Sequence, residues 1–408
     1  MSPGRPRPVL LAAALLLLAA PRARAAEPGE ELTISALTMG PGDHPFFKFG
    51  HNAILVQPRE GPGTVFNFGT FGFDQPNLIP KFLKGRLMYW LSVSSENQTM
   101  ASYVGANRTI EAQELDLTPA ERWGLFQRLL ENARPEKREY LYDYFWDNCS
   151  TRVRDVIDVT ISGQLRTAGQ APAAMTLRAH ALRLTSDLLW EYLGLHFGLG
   201  SPTDRPMNAW QESFLPEKLR DLLRTVQVQR EGGVRPLVKS ERVLFAARRP
   251  PKPAQPPHWE LWFTLVGLGV GGLLVLLGLV ARGQPAGRVL LGLLTSVLGL
   301  ALGLLGLILL CLWLFTNHKA THANANILVC APWTVALAPL GIGVALGWSG
   351  SRRAAYALAV GAAVLALVGV VAKVLPGTNQ DNTAYLLLLA PIWLGMSFGL
   401  RQVVPPRP

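Results

Sequence analysis

The pattern of apolar and polar positions divides the chain into two parts. Residues 27–257 mix charged, aromatic and apolar positions, whereas beyond His258 charges become rare and Leu, Val, Ala and Gly predominate. The second part is the source of the positive mean hydropathy of +0.21. Apolar runs long enough to cross a bilayer lie at 260–281, 289–316, 327–348, 354–375 and 383–400. The sequence therefore predicts a soluble domain at 26–247 followed by an all-α membrane domain of five transmembrane helices at 259–400.

The periodicity of the first part predicts both strands and helices. "ELTISAL" (31–37) alternates apolar and polar residues, and "HNAILVQ" (51–57) and "TVFNFGTF" (64–71) flank a turn-rich connection, as in a hairpin. Helical spacing follows at 117–134, from Cys149 to about Ile161, and at 214–227. The first of these helices opens with Thr118 and Glu121, a capping-box pattern. Strands first and helices later predict an α+β domain.

The loops between the apolar runs indicate an orientation. The loops at 282–288 and 351–353 and the tail at 401–408 are basic, whereas the loops at 316–326 and 376–382 are Asn-rich and carry one lysine between them. Basic loops stay in the cytoplasm. The soluble domain and the two Asn-rich loops are therefore predicted outside, with the tail cytoplasmic.

The start of the chain agrees with this orientation. Two arginines precede an apolar stretch at 9–20, and Ala23-Arg24-Ala25 offers small residues for a signal peptidase. We predict a cleaved signal peptide at 1–25; an uncleaved amphipathic anchor is the alternative. A proline-rich segment at 248–258 is predicted to be an extended linker.

Composition argues against a nucleic-acid partner and against a disulfide framework. The net charge of +11 is not arranged as a basic stripe with interleaved aromatics, so no nucleic-acid partner is expected. Two of the three cysteines, Cys311 and Cys330, lie inside apolar spans, so no disulfide framework is expected. Cys149 is left as an isolated thiol in an oxidising compartment.

The residues around Cys149 suggest a reactive thiol. Asp147 and Asn148 are good capping residues, which places Cys149 in the first turn of a helix, where the helix dipole and free N–H groups stabilise a thiolate. Arg152 adds positive charge, and both Asn148 and Arg152 are candidate substrate contacts. His51 is the best candidate base. The alternative is that Cys149 and His51 are packing residues.

Three segments carry a family resemblance. In this order, "GPGDHPFFKFGHNAILV", "FNFGTF" and "YLYDYFWDNCSTRVRD" resemble the hallmark segments of a bacterial membrane family that includes the Lnb-type lipoprotein N-acyltransferases. The order of His before Cys also resembles circularly permuted papain-like folds, among them the relatives of lecithin:retinol acyltransferase. The resemblance implies a permuted papain-like soluble domain at the outer face of the bacterial inner membrane.

The resemblance also implies a chemistry and site residues. Cys149 would be the nucleophile and His51 the base, with no cofactor. A membrane phospholipid would donate the acyl chain, and the α-amine of a diacylglyceryl apolipoprotein would accept it. The resemblance leaves the third catalytic group open. Asn67 is the first candidate, and it shares a face with His51 only if the hairpin register is shifted by one residue from the simplest pairing; otherwise it is a surface residue of an edge strand. Asp143 and Asp74 are the alternatives.

The first Asn-rich outer loop holds further candidates. His318, His322, Asn324 and Asn326 are predicted either to contact substrate or to form a solvated loop, and 379–382 lie on the same side. No third ligand accompanies the two histidines, so a metal site is not expected.

Two other functions remain open from the sequence. The same Cys149 and His51 pair fits a membrane-tethered thiol hydrolase, a phospholipase or a peptidase, with water as the acceptor. Alternatively, the domain is a non-catalytic receptor for lipid or lipoprotein.

Overall fold

A computed structural model describes residues 27–72, 74–378 and 380–405 of the chain. The predicted signal peptide, Asn379 and the end of the tail lie outside the described residues. The predicted linker has no regular secondary structure between the last strand of the first domain and the first membrane helix.

A seven-stranded antiparallel sheet forms the centre of the first domain, with strand order β6-β4-β3-β2-β1-β5-β9. A small hairpin of β7 and β8 lies apart from it. The strands are β1 (Leu32–Met39), β2 (His51–Pro58), β3 (Thr64–Thr70), β4 (Met88–Ser95), β5 (Ile110–Leu115), β6 (Glu139–Leu141), β7 (Gln227–Arg230), β8 (Gly233–Pro236) and β9 (Val238–Phe245). The three predicted strands are confirmed, because β1, β2 and β3 coincide with them within two residues.

Nine helices of the described residues belong to this domain. They are α1 (Leu78–Leu83), α2 (Glu96–Gly105), α3 (Pro119–Asn132), α4 (Cys149–Thr160), α5 (Gln164–Ala168), α6 (Leu177–Thr185), α7 (Leu189–Gly198), α8 (Ala209–Glu212) and α9 (Pro216–Thr225). The predicted helices are confirmed as α3, α4 and α9, and the capping box of Thr118 and Glu121 is present with both hydrogen bonds. The predicted α+β class is confirmed.

The two faces of the sheet carry separate apolar layers. Alternate residues such as Ile54 and Phe66 pack with Val153 and Ile157 of α4, and are almost fully buried. Residues of the opposite parity, such as Leu55 and Val65, form the other layer beneath α2. Because side chains alternate along a strand, position along β2 and β3 decides which helix each residue meets.

The five predicted membrane spans are confirmed as apolar helical segments. They run over Glu260–Val280, Pro285–Phe315, Ala325–Leu346, Ser349–Ala372 and Thr383–Arg401. We number their helices α10 (Glu260–Val280), α11 (Pro285–Phe315), α12 (Leu337–Leu346), α13 (Ser349–Ala372) and α14 (Thr383–Arg401). The third span opens with short 3-10 turns before α12.

Glycines let α10 and α14 approach closely. A Cβ atom on Gly271 would lie 2.4 Å from the carbonyl oxygen of Pro391, and one on Gly395 would lie 2.3 Å from that of Gly271. Small residues at a helix interface are the usual way for membrane helices to gain packing contacts, since lipid offers no hydrophobic driving force between them.

The two domains are joined at the carboxyl end of α7. A helix end leaves carbonyl groups without helical partners. Here the Asn324 side-chain amide lies 2.9 to 3.1 Å from the carbonyl oxygens of residues 197–199, and the Asn326 amide also donates to Phe197 O. From the soluble side, the buried Arg178 donates to Leu199 O at 2.8 Å and pairs with Asp204. We call these donors and carbonyls the interdomain clamp.

Replacing Asn324 by Ala is expected to loosen the clamp. Buried carbonyl groups left without donors cost about 1–3 kcal/mol, so the variant should unfold at a lower temperature in detergent and be cut faster in the linker. Thermal unfolding and limited proteolysis of the full chain measure this. The control is Asn317→Ala in the same loop, where the side chain is exposed. Equal unfolding temperatures for the two variants would contradict the clamp.

Candidate active site

The start of α4 is fixed by its capping residues. Asn148 is the N-cap: its Oδ1 accepts from Thr151 N at 2.9 Å, and its own backbone N–H donates to Thr151 Oγ1 at 2.8 Å. Its Nδ2 donates to the carbonyls of Tyr144 and Phe214. Cys149 is therefore the first residue of the helix, as predicted, and its position is determined by a buried polar network.

Cys149 lies where β2 and β3 separate. The two strands pair from Ile54↔Phe66 to Val56↔Thr64, although β2 begins at His51. In the opening, the Cys149 thiol accepts a hydrogen bond from the backbone N–H of Asn52. A Cβ atom on Gly69 of β3 would lie 3.3 Å from the Cys149 Cβ. The helix packs on one face of the sheet, and the opening lets its thiol share a cavity with His51, which belongs to the other face.

A serine ties the helix to the middle of the sheet. Ser150 is fully buried, and its Oγ lies 2.7 Å from Asn52 Oδ1 and 2.8 Å from Ser213 O. Asn52 in turn donates to Leu37 O and to Thr38 Oγ1. Asn52 and Ser150 directly follow His51 and Cys149 in the sequence, and their hydrogen bond holds the two segments together.

Asn67 lies on the same face of the sheet as His51. Val56 pairs with Thr64, which is the register shifted by one residue that this placement requires. The Asn67 side chain hydrogen-bonds the His51 imidazole. Its Nδ2 donates to Ser94 Oγ at 3.2 Å, and Ser94 Oγ lies 2.7 Å from Thr99 Oγ1. A neutral chain of polar groups therefore orients the imidazole.

Electrostatics keep His51 neutral. Desolvation inside the cavity and the positive charge of Arg108 lower the pKa of His51 to about 4, and the hydrogen bond to Asn67 opposes them. The ring stacks beside Tyr103 at 6.2 Å between centroids. A neutral imidazole is the form that accepts a proton.

The predicted stabilised thiolate is wrong for the resting site. Burial raises the pKa of the Cys149 thiol, and the backbone N–H groups of Asn52 and Ser150 and the charge of Arg108 offset this only in part. Arg152, expected to add positive charge, instead pairs with Asp147 at 2.7 Å and stacks over Tyr140. The resting cavity is therefore lined by a neutral thiol and a neutral imidazole.

A cavity of about 840 Å³ surrounds the pair. This is within the usual size of a small-molecule site. Its walls are rich in aromatic rings, and Tyr89 and Tyr142 stack at 3.9 Å between centroids. One wall is formed by the outer loop of the membrane domain, residues 317–321. This loop contacts the soluble domain, since Asn317 N donates to Lys84 O at 2.9 Å. Both domains therefore build one cavity.

The structure separates the predicted substrate contacts into two groups. Asn148 and His318 line the cavity, and His318 Nε2 lies 2.8 Å from Phe82 O. Arg152 faces a different, smaller cavity. His322 does not line the cavity, and its Nε2 lies within hydrogen-bond distance of Thr316 O.

Asn324 and Asn326 do not line it either, which corrects the predicted substrate role. They are buried in the interdomain clamp, because the carbonyls at the end of α7 need donors. Gln380 and Asn382 bind these two side chains.

The alternative third residues do not face the imidazole. Asp143 lines the cavity, but its Oδ1 accepts from the backbone N–H groups of Phe145 and Trp146. Asp74 is not among the lining residues. Among the described residues, no group of three or more His, Cys, Asp or Glu side chains is arranged to hold a metal ion.

Sequence reasoning missed two side chains of the site. Tyr103 and Arg108 come from the end of α2 and the turn before β5, and both line the cavity. Neither belongs to a motif segment. They reach the cavity because β5 lies two strands from β2 in the sheet, and such a long-range arrangement has no local sequence pattern.

Two family profiles match the chain. The Lnb N-terminal periplasmic domain matches residues 19–183, and the Lnb transmembrane domain matches residues 268–399. Together they cover most of the chain. It belongs to the Lnb family. No curated protein and no solved structure matches the chain significantly.

The two matched regions include most of the residues that line the cavity around Cys149 and His51. His51, Asn67 and Cys149 all fall within the matched Lnb periplasmic domain, and the outer loop that closes the cavity falls within the matched Lnb transmembrane domain. This Lnb protein is therefore a membrane protein with a periplasmic N-terminal domain.

Gly69 is expected to be required for the geometry at Cys149. Its φ is +80°, and a Cβ atom would contact Cys149 and the Tyr142 ring at 3.3 and 3.4 Å. Gly69→Ala should cost about 1–2 kcal/mol for the left-handed backbone and also change the rate at which iodoacetamide alkylates Cys149. Gly163→Ala is the control, because Gly163 has φ +83° with nothing within 4 Å of the new Cβ. If both variants alkylate like the parent, the contact at Gly69 does not shape the site.

The pH dependence of Cys149 alkylation distinguishes a neutral pair from an ion pair. Because burial raises the thiol pKa, the thiolate fraction near neutral pH is smaller than for a free cysteine, whose pKa is about 8.5. The alkylation rate of the Cys149 peptide, followed by mass spectrometry, should rise above that pH without a neutral plateau. Urea-unfolded protein supplies the ordinary profile. A plateau between pH 5 and 7 in the folded protein would indicate a thiolate–imidazolium pair instead.

Proposed function

We propose that this protein is a lipoprotein N-acyltransferase. It moves an acyl chain from a membrane phospholipid, through a thioester on Cys149, to the α-amine of the lipidated N-terminal cysteine of an apolipoprotein. The observation that carries the proposal is that Cys149, His51 and Asn67 line one aromatic cavity, to which the outer loop of the membrane domain contributes a wall. A nucleophile, a base and an orienting group in one cavity are the parts of covalent acyl transfer.

In the first half-reaction, Cys149 Sγ attacks an ester carbonyl of the phospholipid. His51, neutral at the start, takes the thiol proton as the S–C bond forms. The ester C–O bond then breaks, and the proton passes from His51 to the departing lysophospholipid oxygen. The chain remains as an S-acyl enzyme, and the imidazole is neutral again.

The start of α4 supplies stabilisation for the tetrahedral oxyanion. The backbone N–H groups of Cys149, Ser150 and Asn52 point toward the sulfur in the resting site. The cap of the helix is satisfied at Thr151, so the first two N–H groups are free to bind a developing negative charge. Such preorganised donors are worth about 2.7–4 kcal/mol each in hydrolases.

In the second half-reaction, the acceptor amine attacks the thioester carbonyl. His51 takes a proton from the amine nitrogen as the N–C bond forms, and returns it to the sulfur as the C–S bond breaks. The products are an amide and the free Cys149 thiol. Aromatic walls around the thioester limit the access of water, which favours the amine over hydrolysis.

The membrane domain fits this function by placing the site close to lipid. The outer loop that lines the cavity follows directly after α11, and exposed apolar residues such as Phe82 and Phe315 lie near it. We propose that the domain sits in the bacterial inner membrane with the tail in the cytoplasm. The basic side chains Arg288 and Arg352 lie at the other end of the bundle, against Ala345 and Val403, as the positive-inside rule requires.

Cys149→Ala is expected to abolish N-acylation while the protein remains in the membrane. Mass spectrometry of lipoprotein N-termini from cells that carry the variant should show free α-amines. His51→Gln should slow acyl-enzyme formation by about 10²–10⁴-fold, the usual contribution of a general base. Cys311→Ala is the matched control, since Cys311 is an exposed thiol within α11, outside the cavity.

The products decide between this function and the alternatives. N-acylated lipoproteins in the Cys149→Ala strain would contradict the proposal. A purified protein that releases free fatty acid, and forms no amide when an apolipoprotein is supplied, is a hydrolase. A protein that binds lipid but forms no Cys149 thioester is a receptor.

A further inference from the structure

Arg108 is a buried cation at the edge of the cavity. The residue is 5% exposed, and its guanidinium packs over the rings of Tyr103 and Phe47 at 4.6 and 5.2 Å from their centroids. Its Nε donates to Gly40 O at 2.8 Å. The two ring contacts and this hydrogen bond fix the plane of the guanidinium.

The guanidinium also hydrogen-bonds the Tyr103 side chain, but one of its nitrogens has no hydrogen-bond partner in the described part of the chain. Nη2 of Arg108 is buried and has no hydrogen bond to any of the described residues. Among the described residues, no carboxylate forms a salt bridge with Arg108. By contrast, Arg154 and Arg178, which are similarly buried, each pair with an Asp.

The other groups near Arg108 do not supply negative charge. Burial raises the pKa of the Tyr103 phenol to about 12 and raises that of the Cys149 thiol as well, so both are neutral. Two carboxylates of the described residues line the cavity. Asp143 accepts hydrogen bonds from backbone N–H groups. The charges that act on Glu191 are those of Lys48, Asp187 and Lys252, and not that of Arg108.

A buried, unpaired charge is costly. Removing an ion from water without a partner costs several kcal/mol, and a buried donor with no acceptor adds to this. Arg108 lines the cavity, and a ligand anion that reaches its guanidinium from there would recover part of that energy. Guanidinium groups bind phosphate with high geometric specificity, because the planar fork matches two of its oxygens.

We propose that Arg108 binds the phosphodiester of the donor phospholipid and so positions its ester carbonyl at Cys149. This inference rests on the proposed function, because it names the part of the donor that the same cavity recognises. The glycerol backbone places an ester carbonyl only a few bonds from the phosphate. Arg108, Cys149 and His51 line the same cavity, so an anion held on Arg108 lies in the cavity that contains the reacting atoms.

The test compares two acyl donors that differ in the phosphate. Full-length protein in detergent is given dihexanoyl phosphatidylglycerol or p-nitrophenyl hexanoate, which carry the same acyl group, and S-acylation of Cys149 is followed by intact mass spectrometry. For Arg108→Gln, the ratio of the phospholipid rate to the neutral-ester rate should fall at least tenfold, mostly through KM. Arg108→Lys should recover part of the ratio, since a lysine keeps the charge without the fork.

A matched control tests whether any buried arginine gives this result. Arg154 is 8% exposed and stacks over Trp210 at 3.9 Å, but it lies outside the cavity. Arg154→Gln should leave the ratio of the two rates unchanged. If Arg108→Gln lowers both rates equally, Arg108 serves the chemistry or the fold rather than the phosphate, and the inference is overturned.

A binding measurement keeps the inference separate from the proposed function. In Cys149→Ala protein, which forms no thioester, the rise in unfolding temperature caused by dihexanoyl phosphatidylglycerol should exceed that caused by dihexanoylglycerol, and Arg108→Gln should remove the difference. Inorganic phosphate as a third ligand shows whether the site takes any phosphate or requires the lipid. Equal shifts for the two lipids would overturn the inference even if the enzyme transfers acyl groups. A phosphate-dependent shift in a protein that transfers no acyl group would support the inference while the proposed function fails.

Discussion

The geometry of the site depends on the separation of β2 from β3 beyond Ile54 and Phe66. A helix packed on one face of an intact sheet cannot bring its first residue to a side chain on the other face, because strand hydrogen bonds close the space between them. Here the pairing ends at Ile54↔Phe66, and Cys149 takes the place of the next cross-strand contacts. Gly69 makes this possible, since its positive φ and lack of a Cβ leave room for the start of α4.

This placement has an electrostatic consequence. A thiol inserted into a sheet loses most of its water, so the charged form is disfavoured even at a helix start. The same desolvation keeps His51 neutral, and Asn67, Ser94 and Thr99 orient the imidazole without adding a charge. At rest both groups are neutral, as in a serine–histidine pair, whereas a thiol at a helix dipole is expected to form a preformed ion pair. In the proposed chemistry the proton would then move during attack.

The sequence predicted those parts of the fold whose signals are local. Periodicity located strands at 31–37, 51–57 and 64–71 and the five spans, and the capping residues placed Cys149 in the first turn of a helix. It did not predict the hairpin register, which depends on the turn after Pro58, or the burial that reverses the expected thiol pKa. Arg108 enters the cavity because β5 lies beside β1, and such long-range pairing has no local pattern. The polar composition of its loop also did not predict that Asn324 is buried in the clamp, because its hydrogen-bond partners are carbonyls over a hundred positions away in the sequence.

The clamp shows how the domain that contains Cys149 and His51 is held on the membrane domain. The segment 317–326 contributes the Asn324 and Asn326 donors to the end of α7 and, through residues 317–321, one wall of the cavity. The same segment that holds the soluble domain on the bundle therefore also completes the site. A rotation of one domain against the other would break buried hydrogen bonds at the clamp and open the cavity to water at the same time. Under the proposed function, a thioester on Cys149 has to be protected from water until the acceptor arrives. Rigid attachment of the two domains would then be a requirement of acyl transfer that a hydrolase does not share.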